Sequence, residues 1–104
     1  MVLYQLGRLP EAGHDFDKAI ELKPTDATAR FNRGNLRFRQ RDYKGAVLDF
    51  EAAVTADPKF GKAYHALGLA RISLGQREVG CLNLKQADKL GYPDAQDAVT
   101  AYCR

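Results

Sequence analysis

Apolar and polar positions follow a helical period along most of the chain. Over about 43–56, Ala46, Val47, Phe50, Ala53 and Val54 recur at steps of three and four. That spacing lines one face of a 3.6-residue helix and predicts an amphipathic element. Ala12, Phe16, Ala19 and Ile20 do the same over about 10–22, with Asp15, Asp17, Lys18 and Glu21 on the other side. Ala63, Tyr64, Leu67, Ala70 and Arg71 face inward over about 60–74, and Val79, Leu84 and Ala87 over about 76–90. A helix is also expected over about 27–40. A shorter one over 94–102 sets Ala95, Ala98, Val99 and Tyr102 against Asp94, Gln96, Asp97 and Thr100. Residues 1–6 read as the tail of a further helix closed by Gly7.

The breaks between these elements carry their own chemistry. Asp42, and Thr25 or Asp26, are N-cap residues, whose side chains accept from the first free backbone N–H groups of a helix. Gly75 and Gly91 suit the left-handed position that ends one. Pro10 and Pro93 fit a first turn, where the missing N–H has no intrahelical partner, while Pro24 and Pro58 stop the helices before them. Gly13 sits inside a predicted helix, at a cost of about 1 kcal/mol relative to alanine.

The pattern also repeats. A shift of 34 residues places Pro24 on Pro58, Gly34 on Gly68, Ala29 on Ala63 and Arg37 on Arg71. Ala19 falls on Ala53 and then Ala87, Phe16 on Phe50 and then Leu84, and Ala12 on Ala46 and then Gly80. Gly7 and Gly75 stand two periods apart with Arg41 between them. Self-similarity at such a period marks a solenoid of stacked units.

These residues resemble the tetratricopeptide repeat. The middle copy carries Asn32-Arg33-Gly34-Asn35, Asp42-Tyr43, Ala46, Phe50, Ala53 and Asp57-Pro58; the last carries Tyr64, Leu67-Gly68, Gly75, Leu84 and Ala87. The resemblance implies an all-α fold, a short right-handed superhelix of antiparallel helix pairs. The chain divides into a truncated repeat (1–26), two complete repeats (27–60 and 61–92) and a capping helix (93–104). A cap with one apolar and one wet face closes the last unit. The truncated unit leaves its own face short of neighbours, so Val2, Leu3, Leu9, Phe16 and Ile20 form a candidate self-association surface, most simply for a homodimer.

The resemblance further implies that the first helix of each pair lines a concave groove. The expected peptide-binding residues there are Phe31, Asn32, Asn35, Phe38, Arg39, Lys62, His65, Leu69 and Ile72, with Tyr4 and Gln5 in the truncated unit. Asparagine offers both donor and acceptor to a peptide backbone, and Phe31, Phe38, Leu69 and Ile72 would hold apolar side chains. The alternative is a plain exposed helix face. A family subclass grips the C-terminal carboxylate of chaperones with paired Lys or Arg, but those places hold Phe31, His65 and Leu69 here. The function expected is a protein-interaction scaffold binding a peptide or partner helix, with self-association as the alternative.

Composition narrows this further. The chain has 104 residues, 45% hydrophobic and 28% charged, ordinary for a globular protein. Its net charge of +3 concentrates in the middle unit, through Arg30, Arg33, Arg37, Arg39 and Arg41. Arg30, Arg33, Arg37 and Arg41 share one helix face, and a bare arginine in a helix interface is unfavourable unless paired or snorkelling. Asp49 or Asp15 are the expected partners. Nucleic-acid binding by this face is a weaker alternative, since Asp42, Asp49, Glu51 and Asp57 lie close by.

No catalytic constellation stands out. His14 and His65 belong to different units, Ser73 has no base, and the glycines space or cap helices. Neither metal nor cofactor is expected, and the chain reads as a non-enzyme with no membrane span. Cys81 and Cys103 fit no zinc spacing and are expected as two separate thiols in a reducing, cytoplasmic setting, with a disulfide as the minority reading.

Overall fold

The computed structural model describes residues 17–23 and 25–103. Residues 17–22 are helical, and five further helices follow: α1 (Ala27–Arg39), α2 (Tyr43–Ala56), α3 (Gly61–Ser73), α4 (Arg77–Lys89) and α5 (Ala95–Tyr102). Each packs against the next, α1 on α2, α2 on α3, α3 on α4 and α4 on α5, so the fold is a stack of antiparallel helix pairs closed by a less tightly packed terminal helix. The reading of residues 1–16 and Pro24, including Gly7, Pro10, Gly13, His14, Asp15, Tyr4 and Gln5, lies outside the described residues.

The caps form as their chemistry requires. Asp26 accepts from the Ala29 N–H at 3.1 Å and Asp42 from the Gly45 N–H at 3.0 Å. Gly75 and Gly91 take φ of 82° and 86° at the ends of α3 and α4. The corresponding turn after α1 uses Arg41 at φ 63°, a left-handed conformation that L side chains adopt at a cost of roughly 1–2 kcal/mol.

The core runs between the pairs. Ala46, Phe50, Ala53, Ala63, Leu67 and Ala70 are fully or almost fully buried, as are Leu84 and Ala87. Each fully buried Phe or Leu stabilises by about 1.5–3 kcal/mol. Glycines allow the close approach. A Cβ on Gly34 would lie 2.6 Å from the Phe50 ring, and one on Gly68 would lie 2.7 Å from the Gly80 carbonyl.

The seams between units are bridged by arginines. Asp49 of α2 is buried at 1% exposure. Arg33 of α1 grips it with both prongs, Nε to Oδ2 at 2.9 Å and Nη2 to Oδ1 at 2.7 Å. Its third nitrogen, Nη1, donates to Asp17 of the preceding helix at 2.8 Å. Arg37 adds a bond to Asp49 at 3.0 Å, and Arg30 lies 3.9 Å from the same carboxylate. The Asp49 hydrogen bonds push Arg33 further above its already high pKa, overcoming the opposing effect of burial, with Asp17 adding to the rise. One period on, Arg71 of α3 donates to Asn83 of α4 at 2.8 Å and pairs with Glu51 of α2 at 2.9 Å. Of the expected partners of the arginine face, Asp49 is the one within the described residues.

Three expectations need correction. Val79 is 44% exposed rather than inward. It stands five residues before Leu84, about 140° away around a helix of 100° per residue, and Gly80 and Cys81 take the inner places instead. Tyr102, expected on the apolar face of the cap, is 42% exposed, and Ala95 and Ala98 are the buried contacts of that helix. Cys81 and Cys103 are not separate thiols: they form a disulfide, with Cα atoms 5.6 Å apart, that ties the end of α5 to α4. Closing the loop between two residues 22 apart is worth about 3 kcal/mol in the chain-entropy account.

Candidate functional site

α1 and α3 lie side by side with a depression of about 220 Å³ between them. Residues three, four and seven apart share a helix face. Phe31, Asn35 and Phe38 therefore come to one wall, and Lys62, His65, Ala66 and Leu69 to the other. Phe50 of α2 closes the floor and Tyr92, from the loop before α5, closes one end. The floor is apolar and the rim polar, the usual make-up of a site that anchors a side chain and orients a backbone.

The aromatic floor is itself well supported. The Phe31 ring, 5% exposed, packs 5.7 Å from Phe50 and 5.1 Å from Phe60. Lys62 Nζ sits 5.4 Å from the Phe31 ring centre, a cation–π distance that holds the ammonium at the rim. Phe38 stacks edge-on to Tyr43 at 5.1 Å. At the closed end, the His65 and Tyr92 rings lie 5.0 Å apart. Burial lowers the His65 pKa, with the nearby Asp94 carboxylate pulling the other way. Burial, and then Asp94, raise that of the Tyr92 hydroxyl. His65 is therefore neutral at pH 7 and able to donate through one ring nitrogen and accept through the other.

Of the residues expected in the groove, Phe31, Asn35, Phe38, Lys62, His65 and Leu69 line this one depression. Phe31 does so as floor, from within the hydrophobic core. Asn32, Arg39 and Ile72 lie outside the lining. Ile72 turns to the α3–α4 seam, where its Cγ1 would stand 2.8 Å from a Cβ on Gly80. The missing side chain at Gly80 gives it that space, which Ala46 fills one period earlier. Phe50, Ala66 and Tyr92 were not anticipated in the lining. The signal for Tyr92 was present: it occupies the place of Pro58 in the 34-residue register, where an aromatic replaces a helix stop.

Of the self-association residues, Val2, Leu3, Leu9 and Phe16 lie outside the described residues, and Ile20 is already buried within the chain. Among the described residues, no group of three or more His, Cys, Asp or Glu side chains is placed to hold a metal ion, and no helix is long and apolar enough to cross a membrane.

Residues 1–59 match the family model described as tetratricopeptide repeat. The TPR repeat-containing thioredoxin TDX of Arabidopsis thaliana is 31% identical over 88 residues, 85% of this chain and 23% of that protein. The chain spans under a third of the length of the curated relatives it matches. Among solved structures, YrrB, a TPR protein with an unusual peptide-binding site, superposes with a TM-score of 0.80 at 31% identity, covering 86% of this chain and 46% of that one. The first TPR of Spaghetti (RPAP3), bound to the HSP90 peptide SRMEEVD, superposes with a TM-score of 0.91 over 97% of this chain and 82% of that one; at 22% identity this likeness is one of fold.

Proposed function

Because the chain belongs to the tetratricopeptide repeat family, we infer that it is a protein-interaction scaffold that takes an extended peptide or a partner helix between α1 and α3. The observation that carries this reading is the depression itself, with a floor of Phe31, Phe38, Phe50 and Leu69 and a rim of Asn35, Lys62, His65 and Tyr92. One bulky apolar side chain of the partner fits the floor. Asn35 and neutral His65 supply donors and acceptors for its backbone, which fix its orientation in the groove. The peptide-binding site of YrrB, at 31% identity, lends this support.

The test is a peptide-display selection on the oxidised full chain, followed by Leu69→Glu and Asn35→Ala. Both positions are half-buried rather than core. Loss of a central apolar anchor weakens binding roughly tenfold or more, so Leu69→Glu should abolish capture while thermal melting holds. Peptides that bind both variants as well as the parent would sink the reading.

A further inference from the structure

Tyr92 belongs to two parts of the molecule at once. Its ring closes the groove against His65, and its carbonyl accepts from the Ala95 N–H at 3.1 Å, the first residue of α5. Only Pro93 and Asp94 separate it from that helix, and the Asp94 carboxylate adds to the rise in its hydroxyl pKa. The Tyr92 N–H also donates to the Ala87 carbonyl of α4 at 3.0 Å, so this wall of the groove is tied both to α4 and to the terminal helix.

That helix is weakly held by everything except its disulfide. It has eight residues and no side-chain N-cap bond, and a helix so short has little stability alone. Its buried contacts are two alanines, Ala95 and Ala98, with Tyr102 turned to solvent. The Cys81–Cys103 bridge fastens its far end to α4. The bridge lines an open surface cleft of about 340 Å³ with Arg77, Glu78 and Lys85. Cys103, half-buried where Cys81 is buried, is the sulfur that a small thiol reaches there, and the two cations outnumber the one carboxylate around the thiolate that leaves when the bond opens.

We propose that the Cys81–Cys103 bridge is a redox latch on the groove: closed, it holds α5 and, through α5, steadies the Tyr92 wall; open, it frees α5 and loosens that wall. The inference rests on the groove being the peptide site. A dithiol reductant supplies two electrons and two protons. The S–S bond breaks, two S–H groups form on Cys81 and Cys103, and the reductant becomes its own disulfide.

The experiment compares the full chain oxidised and after dithiothreitol, with the two new thiols counted by titration. Three readouts run in parallel: amide exchange of Ala95–Tyr102, the His65 ring-proton resonances, and affinity for a fluorescein-labelled peptide from the selection above. Reduction should speed α5 exchange by roughly a hundredfold, the scale of a lost medium-sized disulfide loop. It should shift the His65 resonances as the Tyr92 ring current weakens, and weaken the peptide about fivefold or more, while α1 and α2 keep their protection. Cys103→Ser should reproduce the reduced behaviour without reductant, and Tyr92→Ala should make affinity indifferent to redox state. Unchanged α5 exchange and His65 resonances after full reduction overturn the latch, as does unchanged affinity when both move. If no peptide binds in either state, the groove reading fails instead, and the α5 and His65 responses still decide whether the bridge governs the Tyr92 wall.

Discussion

The two complete helix pairs solve one problem with different chemistry. In α1–α2, Arg33 ties the preceding helix, at Asp17, to its own partner helix, at Asp49. In α3–α4, Arg71 ties α2, at Glu51, to α4, at Asn83. The acceptors keep the period: Asp17 and Glu51 are 34 apart, and so are Asp49 and Asn83. The donor does not, because Arg71 corresponds to Arg37 and the place of Arg33 is taken by the buried Leu67. The first pair therefore buries a carboxylate under a cluster of arginines, and the second buries an apolar side chain with a neutral amide beside it. Repeat position dictates where a bridge is needed, while the charges actually present decide how much depends on it.

The largest expected effect comes from breaking the ionic seam. Asp49→Ala leaves Arg33 without its buried partner and should destabilise by about 3–5 kcal/mol, whereas Asn83→Ala should cost about 1 kcal/mol; urea unfolding of the two variants side by side measures the difference. Writing the second seam into the first, with Arg33→Leu and Asp49→Asn together, should recover most of the loss from Asp49→Ala. A non-additive double-mutant cycle would show it.

The helix approaches give the next contrast. In Gly68→Ala the new methyl meets the Gly80 backbone, which cannot rotate away, while in Gly34→Ala it meets the Phe50 ring. Both overpack, by about 1–3 kcal/mol, and Gly68→Ala should be the worse of the two in thermal melts. The turns differ less. Arg41→Gly, which copies Gly75 into the left-handed position, should stabilise by up to about 1 kcal/mol, read from the shift in urea midpoint.

The smallest effect concerns pH. His65 stands one period from Phe31, so the titratable group is in the second pair alone. Burial lowers its pKa, and the unfolded chain therefore binds the proton first as pH falls below about 6.5. Stability is full above that value and declines as pH drops through the folded pKa. His65→Phe should flatten this part of the stability–pH curve, and a curve of unchanged slope would remove His65 as its cause.

The helices from Ala27 onward were legible almost to the residue because the signals that end them are local. Asp26, Asp42, Gly75 and Gly91 each act on backbone groups within four positions. The lining of the groove was legible through the repeat resemblance, whose implied positions Asn35, His65 and Leu69 come together in one depression. It failed at Ile72, whose direction depends on the absent side chain of Gly80 across a seam. Tyr92 escaped because the repeat register puts it at the place of Pro58, in the break between helices, where no groove contact was expected. The disulfide escaped because the meeting of Cys81 and Cys103 depends on how α5 folds back, and spacing along the chain does not encode that.

The bridging arginines have a mechanical consequence. A planar guanidinium held on several nitrogens fixes direction as well as distance, so Arg33 resists twisting of α1 against both its neighbours, and Arg71 does the same for α3. Stretching or unwinding the superhelix would therefore meet its resistance at these junctions rather than along the helices. The chain then behaves as a spring whose stiffness is set at its joints. Exchanging arginine for lysine, a point charge on a flexible stem, would soften it without unfolding a single turn.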